Sequence, residues 1–228
     1  MASSATISEN TRARKAKSKF RYYFRHGFSD EKYYDWERGY KEEAHKAWEL
    51  QLNKQAFGQL LKKKEYAAIA AIATRIESKT NLLFSFEKMA MRDAVKSTQG
   101  ARLFAQGLYE FLYTQAPLPE RFDQYVSVLG RLPRKQTRVL TWPVTTVFPF
   151  IADPVNHIFL KPRVTQAAAV FYHYPFEYSS KVRWDTYKSL LDFAVMIKKD
   201  LRDWKPKDMI DIQSFIWVLG SDEYPDTV

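Results

Sequence analysis

Cysteine is absent from this 228-residue chain. That excludes disulfides, thiolate metal ligands and a cysteine nucleophile, and it fits a reducing compartment. Histidine is scarce: His26, His45, His157 and His173 are the whole set, and no two lie at i, i+4 spacing. Neighbouring histidines therefore do not make a zinc site, and no metal or cofactor is expected. Glycine numbers only 7, too few for many tight hairpins. The closest pair, Gly100 and Gly107, rules out both a phosphate-binding P-loop and a dinucleotide fingerprint. Neither HExxH nor GxSxG occurs, so the common metalloprotease and hydrolase signatures are missing. No apolar run approaches the roughly 20 residues that cross a bilayer, and no apolar stretch follows the basic N-terminus as in a secretory signal. The expectation is a cytoplasmic protein with no membrane partner.

What is present is hydrophobic and basic. Hydrophobic residues make up 46% of the chain and aromatics 16%, too much for a disordered protein. A chain of this size hides roughly 70% of its extended surface and needs no covalent staples. The net charge is +10, and it is uneven. Residues 1–28 hold seven cations (Arg12, Arg14, Lys15, Lys17, Lys19, Arg21, Arg25) against Glu9, giving +6 and leaving +4 for the rest. Charge concentrated in this way suits a polyanion partner, DNA or RNA, or an acidic protein surface.

Residues 1–18 are small, polar and charged without periodicity, so a disordered basic tail is expected there, with a helical domain over 19–228. Ser29, followed by Asp30 and Glu31, predicts a helix start. Its apolar stripe is Tyr33, Trp36, Tyr40, Ala44, Ala47 and Trp48. Asn53 predicts the cap of a short second helix. Helical spacing recurs over 65–78, over 86–94, over about 100–114 and from Phe122 to Gly130. Over 140–162 the pattern changes: VLTWPVTTVFPFIADP is β-branched and aromatic but broken by Pro143, Pro149 and Pro154, so a strand and a proline-started helix both fit. His157–Lys161 reads as a short strand, and Thr165 as the cap of a helix ending at Phe171. The clearest helix spans roughly 184–204. A last one follows Pro206, with Met209, Ile212, Phe215, Ile216 and Leu219 inward. The fold class is mainly α: a single compact multi-helix domain with a short β-hairpin near 140–162 as its one optional feature.

Three polar groupings could carry chemistry. Glu77 and Lys79 have the E-x-K spacing of metal-dependent nucleases, but no aspartate lies between Asp35 and Glu77, and the local pattern is helical. A solvated helix end with a structural ion pair is the competing reading, although Asn81, Glu87, Lys88, Arg92 and Asp93 follow closely enough to line a pocket. Asp208 and Asp211 share a helix face, as a metal or acid–base pair would. Acids in a first turn also simply favour the helix dipole. Asp153 and His157 could orient a general base, or fix a loop. The strongest signals are basic: KFRYYFRHGF, which alternates cations with aromatics, and RLPRKQTR, with Arg131, Arg134, Lys135 and Arg138. Such groups neutralise phosphates and stack on bases. The competing reading has Tyr22, Tyr23, Phe24 and Phe28 anchoring the segment to the domain.

TWPVTTVFPFIADP, HIFLKP and KPKDMIDIQSFIWV, within Trp142–Val218, resemble segments of uncharacterised bacterial proteins, some encoded near restriction and phage-defence genes. The resemblance covers about a third of the chain. It implies a bacterial intracellular setting and a nucleic-acid context, and assigns no catalytic residue. The leading expectation is a non-enzymatic nucleic-acid-binding or defence-associated accessory protein using tail and loop cations. An enzyme with a pocket of Glu77, Lys79, Asp153, His157, Asp208 and Asp211 is the alternative, an interaction scaffold the third. The oligomeric state is left open.

Overall fold

The structure, a computed structural model, describes residues 9–135 and 138–226. It is mainly α-helical, and no strand occurs among the described residues. The order is α1 (Glu9–Tyr23), a 3-10 turn, α2 (Glu31–Tyr33), a π-helical turn (Tyr34–Arg38), α3 (Gly39–Leu52), α4 (Lys54–Lys62), α5 (Tyr66–Ser78), α6 (Ser85–Val95), α7 (Thr98–Tyr113), α8 (Leu118–Gly130), α9 (Trp142–Ala152), α10 (Pro162–Phe171), α11 (Trp184–Asp200), a second 3-10 turn (Arg202–Trp204) and α12 (Met209–Gly220). The buried apolar side chains form one cluster running from Ala16 to Tyr224.

Two helices are buried along nearly their whole length. Every residue of α9 is buried, enclosed by α3, α5 and α7. The prolines and β-branched residues of 140–162 do not form a hairpin there. Thr141 caps the helix at the Val144 amide (3.4 Å) and Pro143 sits in its first turn. The Thr145 and Thr146 hydroxyls bond back to the carbonyls of Thr141 (2.7 Å) and Trp142 (2.9 Å), a helical habit of threonine. His157–Leu160 is extended but unpaired as a strand; the Leu160 amide donates to the Thr146 hydroxyl at 2.9 Å instead. α10 begins at Pro162, so Thr165 lies buried inside it rather than at its cap.

The second buried helix, α12, packs on α1, α10, α11 and the π-turn. Asp208 caps it, accepting from the amides of Ile210 (2.9 Å) and Asp211 (3.4 Å). Its last residue must be small: a Cβ on Gly220 would overlap the Val164 carbonyl oxygen and lie 2.7 Å from the Ala168 amide nitrogen.

Residues 9–18 of the expected tail are helical; residues 1–8 lie outside the described residues. Its composition is that of a solvated segment, but Ala16 and Phe20, four apart, are fully buried. The cations of α1 lie on aromatic faces: Lys15 and Lys19 over Phe171 (4.8 and 5.2 Å), Arg21 over Trp204 (4.9 Å) and Arg12 over Tyr172 (5.7 Å). Lys17 pairs with Asp203 (2.6 Å) and Lys19 with Asp226 (2.7 Å). Cation–π contacts and acids from the far end of the chain thus supply what the tail's own composition lacks. Phe20 and Phe24 are core anchors; Tyr22 remains exposed.

Candidate functional site

The Glu31–Leu52 region buries Tyr33, Ala44 and Trp48 of its expected stripe and half-buries Tyr40 and Ala47, but Trp36 leaves the core. Asp30, not Ser29, caps the region, accepting from the Lys32 amide at 3.0 Å. The π-turn then inserts one extra residue, about 100° of helical rotation, between Tyr33 and α3. Trp36 is thereby turned outward, while Glu37, Arg38 and Lys41 are buried in line with Ala44, Trp48 and Leu52.

The three buried charges meet α12. Arg38 grips Asp208 with both terminal nitrogens (3.0 and 2.8 Å) and reaches Asp211 at 2.7 Å, while its Nε meets Glu42 at 3.2 Å. Asp211 also accepts from the Tyr33 hydroxyl (2.6 Å) and the Lys207 amide (2.7 Å). Burial opposes the Arg38 charge, but the two carboxylates outweigh it and raise its pKa. Burial and then Asp211 push the Tyr33 phenol well up, so it stays a donor. Beside this lies a second cluster. Glu37 accepts from Lys41 (3.2 Å) and the Tyr224 hydroxyl (2.7 Å), and Lys41 also donates to the Ser214 hydroxyl (2.8 Å). Complete burial draws the Lys41 pKa down, with Glu37 opposing. Replacing such buried pairs by apolar side chains is often neutral or stabilising, whereas removing one partner alone is costly.

Above this network opens a cleft of about 340 Å³. Trp36, Tyr40, Phe84 and Trp217 contribute to its walls, and Glu37 and Gln213 to its lining. Gln213 is 3% exposed, and its Oε1 has no hydrogen-bond partner. Asn81 and Lys161 also line it. Lys161 sits 3.4 Å from the centre of the Phe84 ring, and burial lowers its pKa against the opposing pull of Glu87.

The six sequence candidates fall in three places. Asp208 and Asp211 converge on Arg38. Glu77 is buried and held by Lys88 (3.6 Å); burial raises its pKa, and Lys79 beside it is exposed. Asp153 fastens its own loop, its carboxylate accepting from the Val155 and Asn156 amides (3.2 Å each) and from the Asn156 side chain (2.8 Å). His157 is buried against Phe111 with Nδ1 3.2 Å from the Tyr187 hydroxyl, and burial pushes its pKa down to about 4. Among the described residues no three His, Asp or Glu side chains are grouped to hold a metal. Of Asn81, Glu87, Lys88, Arg92 and Asp93, Asn81 alone lines the cleft; Glu87 instead caps α6 at the Phe84 amide (2.8 Å).

The basic residues also divide. A groove of about 800 Å³ runs between α1 and the end of α11, lined by Arg14, Lys17, Arg21, Lys199 and Arg202 with Asp200 and Asp203, net +3 from five cations and two acids. Asp203 is engaged by Lys17, and Asp200 by Arg12 (3.4 Å) and the Tyr172 hydroxyl (2.8 Å). Arg25 is exposed elsewhere on the surface, outside this lining. Arg134 and Arg138 line a separate groove with Lys181, just before α11, while Arg131 and Lys135 are exposed on the same loop.

No family model, curated protein or solved structure matches the chain.

The residues the sequence reading missed are Glu37, Arg38 and Lys41. One signal was available: the spacing Leu52, Trp48, Ala44 extends backwards through Lys41 and Glu37.

Proposed function

We propose that the protein binds nucleic acid, DNA or RNA, through the groove between α1 and the end of α11, with no reaction of its own. The observation that carries this is the placement of Arg14, Lys17, Arg21, Lys199 and Arg202 along one groove whose two acids already have partners within the protein. Arg and Lys in such a groove neutralise phosphates, and Tyr22, exposed at the lining, offers a stacking face. Arg134, Arg138 and Lys181 provide a second contact near the other end of α11, whose 17 residues rise about 25 Å. The resemblance of Trp142–Val218 to bacterial proteins encoded near restriction and phage-defence genes agrees with that context, and a defence-associated accessory role follows from it. The scatter of the six acid–base candidates favours binding over catalysis.

Fluorescence anisotropy of labelled single- and double-stranded oligonucleotides, titrated across salt, tests this. Affinity falls steeply with salt. Arg14→Gln combined with Arg21→Gln lowers the log–log slope by about 1.4 on single strands and about 1.8 on duplex, from roughly 0.7 and 0.9 per phosphate contact. Binding that is absent at low salt, or unmoved by salt, refutes the proposal.

A further inference from the structure

The cleft above the Glu37–Lys41 pair has no part in the groove reading, and no residue lines both. We infer that it is a pocket for a nucleobase, a planar nitrogen heterocycle with a polar edge. Four observations converge on that chemistry.

The first is the unpartnered Oε1 of Gln213, buried on α12 where its polar neighbours Asp211 and Ser214 both have partners. A leucine there would carry no such cost, so the acceptor calls for an N–H from outside the chain. The second is the walls. The Phe84 ring is occupied, by Phe86 with ring centres 5.6 Å apart and by Lys161, so the aromatic walls left for a ligand are Trp36, which is 55% exposed, with Tyr40 and Trp217. Such faces stack on bases. The third is size: about 340 Å³ lies at the small end of ligand sites and suits a base. The fourth is charge. Ammonium groups already cover the rings, Lys32 over Trp36 at 4.1 Å and Lys161 over Phe84 at 3.4 Å, which disfavours an organic cation. Glu37 and Glu223 in the lining disfavour an anion seated deep in the cleft. An aliphatic ligand would leave Gln213 unpaired. A neutral base satisfies all four: its faces meet the rings, and an exocyclic amine meets the Gln213 oxygen, as carboxamides read adenine edges. The π-helical turn that carries Trp36 and Glu37 into place is a distortion that recurs at functional sites.

The base could come from a free nucleoside or from an unpaired position in a strand. Calorimetric titration with adenosine and cytidine, and anisotropy with a short single-stranded oligonucleotide, separate the two. Nucleoside binding supports a pocket for the free compound. Strand binding that Trp36→Ala weakens, without nucleoside binding, supports an unpaired base in a strand. In the supporting arm Trp36→Ala lowers affinity about tenfold, the scale of one lost stacking contact. Gln213→Leu lowers it by a similar factor while leaving the urea midpoint unchanged or higher, because no internal hydrogen bond is lost. Nucleosides carry no phosphate, so their binding is indifferent to salt and to Arg14→Gln with Arg21→Gln, and either reading can fail alone. The inference is overturned if neither nucleosides at millimolar concentration nor the strand bind, or if both variants bind as the parent protein does.

Discussion

Replacing Arg38 with methionine tests whether the buried charges are held as described. The parent guanidinium makes four side-chain hydrogen bonds: two to Asp208, one to Asp211 and one to Glu42. Asp208 keeps solvent contact and its capping bonds, so it tolerates the loss. Asp211 does not, since its side chain is 1% exposed and keeps only the Tyr33 hydroxyl and the Lys207 amide. An uncompensated buried charge costs about 3–5 kcal/mol. With a urea m-value of about 2–3 kcal/mol/M, the unfolding midpoint should fall by about 1–2.5 M. A further variant separates this from lost packing. Adding Asp211→Asn to Arg38→Met removes the orphaned charge, so the double variant should be more stable than Arg38→Met alone. A cost below about 1 kcal/mol, or a double variant no more stable than Arg38→Met, would mean that Asp211 stays hydrated and the network does not exist as described.

Phe215 is fully buried among Phe20, Phe28, Tyr172 and Trp204, so Phe215→Ala should cost about 3–5 kcal/mol in a urea titration, whereas an unshifted midpoint would mean α12 does not dock there. His157, held neutral by burial with a pKa of about 4 against about 6.5 when unfolded, supports the fold fully above about pH 6.5. That support, about 3 kcal/mol, should drain away as pH falls towards 4, and subtracting the pH profile of His157→Gln isolates it. Gly220→Ala should cost about 1–3 kcal/mol in thermal unfolding, because the new Cβ meets the backbone of α10 rather than a movable side chain.

Much of the helical content was legible locally. Asn53 caps α4 through the Ala56 amide at 3.0 Å, and the stripes over 65–78, 100–114 and roughly 184–204 became α5, α7 and α11, the last ending at Asp200 before a 3-10 turn. Those readings worked because an N-cap or an i, i+4 stripe is satisfied within one or two turns of the same segment. The site was less legible. The Asp208–Asp211 pair was visible, but its partner Arg38 was not, because Arg38 lies 170 residues from Asp208 in the chain.

By itself, the sequence determined that the chain is mainly α, that its positive charge is concentrated near the start, and that Asn53 caps a helix. The tertiary structure alone decided the rest. It made α9 a helix, since a wholly buried segment takes whichever form its enclosure by α3, α5 and α7 permits. It ordered α1, whose cations needed Phe171, Trp204, Asp203 and Asp226 as partners. It also turned Trp36 out of the Glu31–Leu52 stripe and Glu37, Arg38 and Lys41 into it. A π-turn breaks the periodicity on which that stripe is read, and buried charges there are tolerable only because α12 brings two aspartates and a serine to meet them.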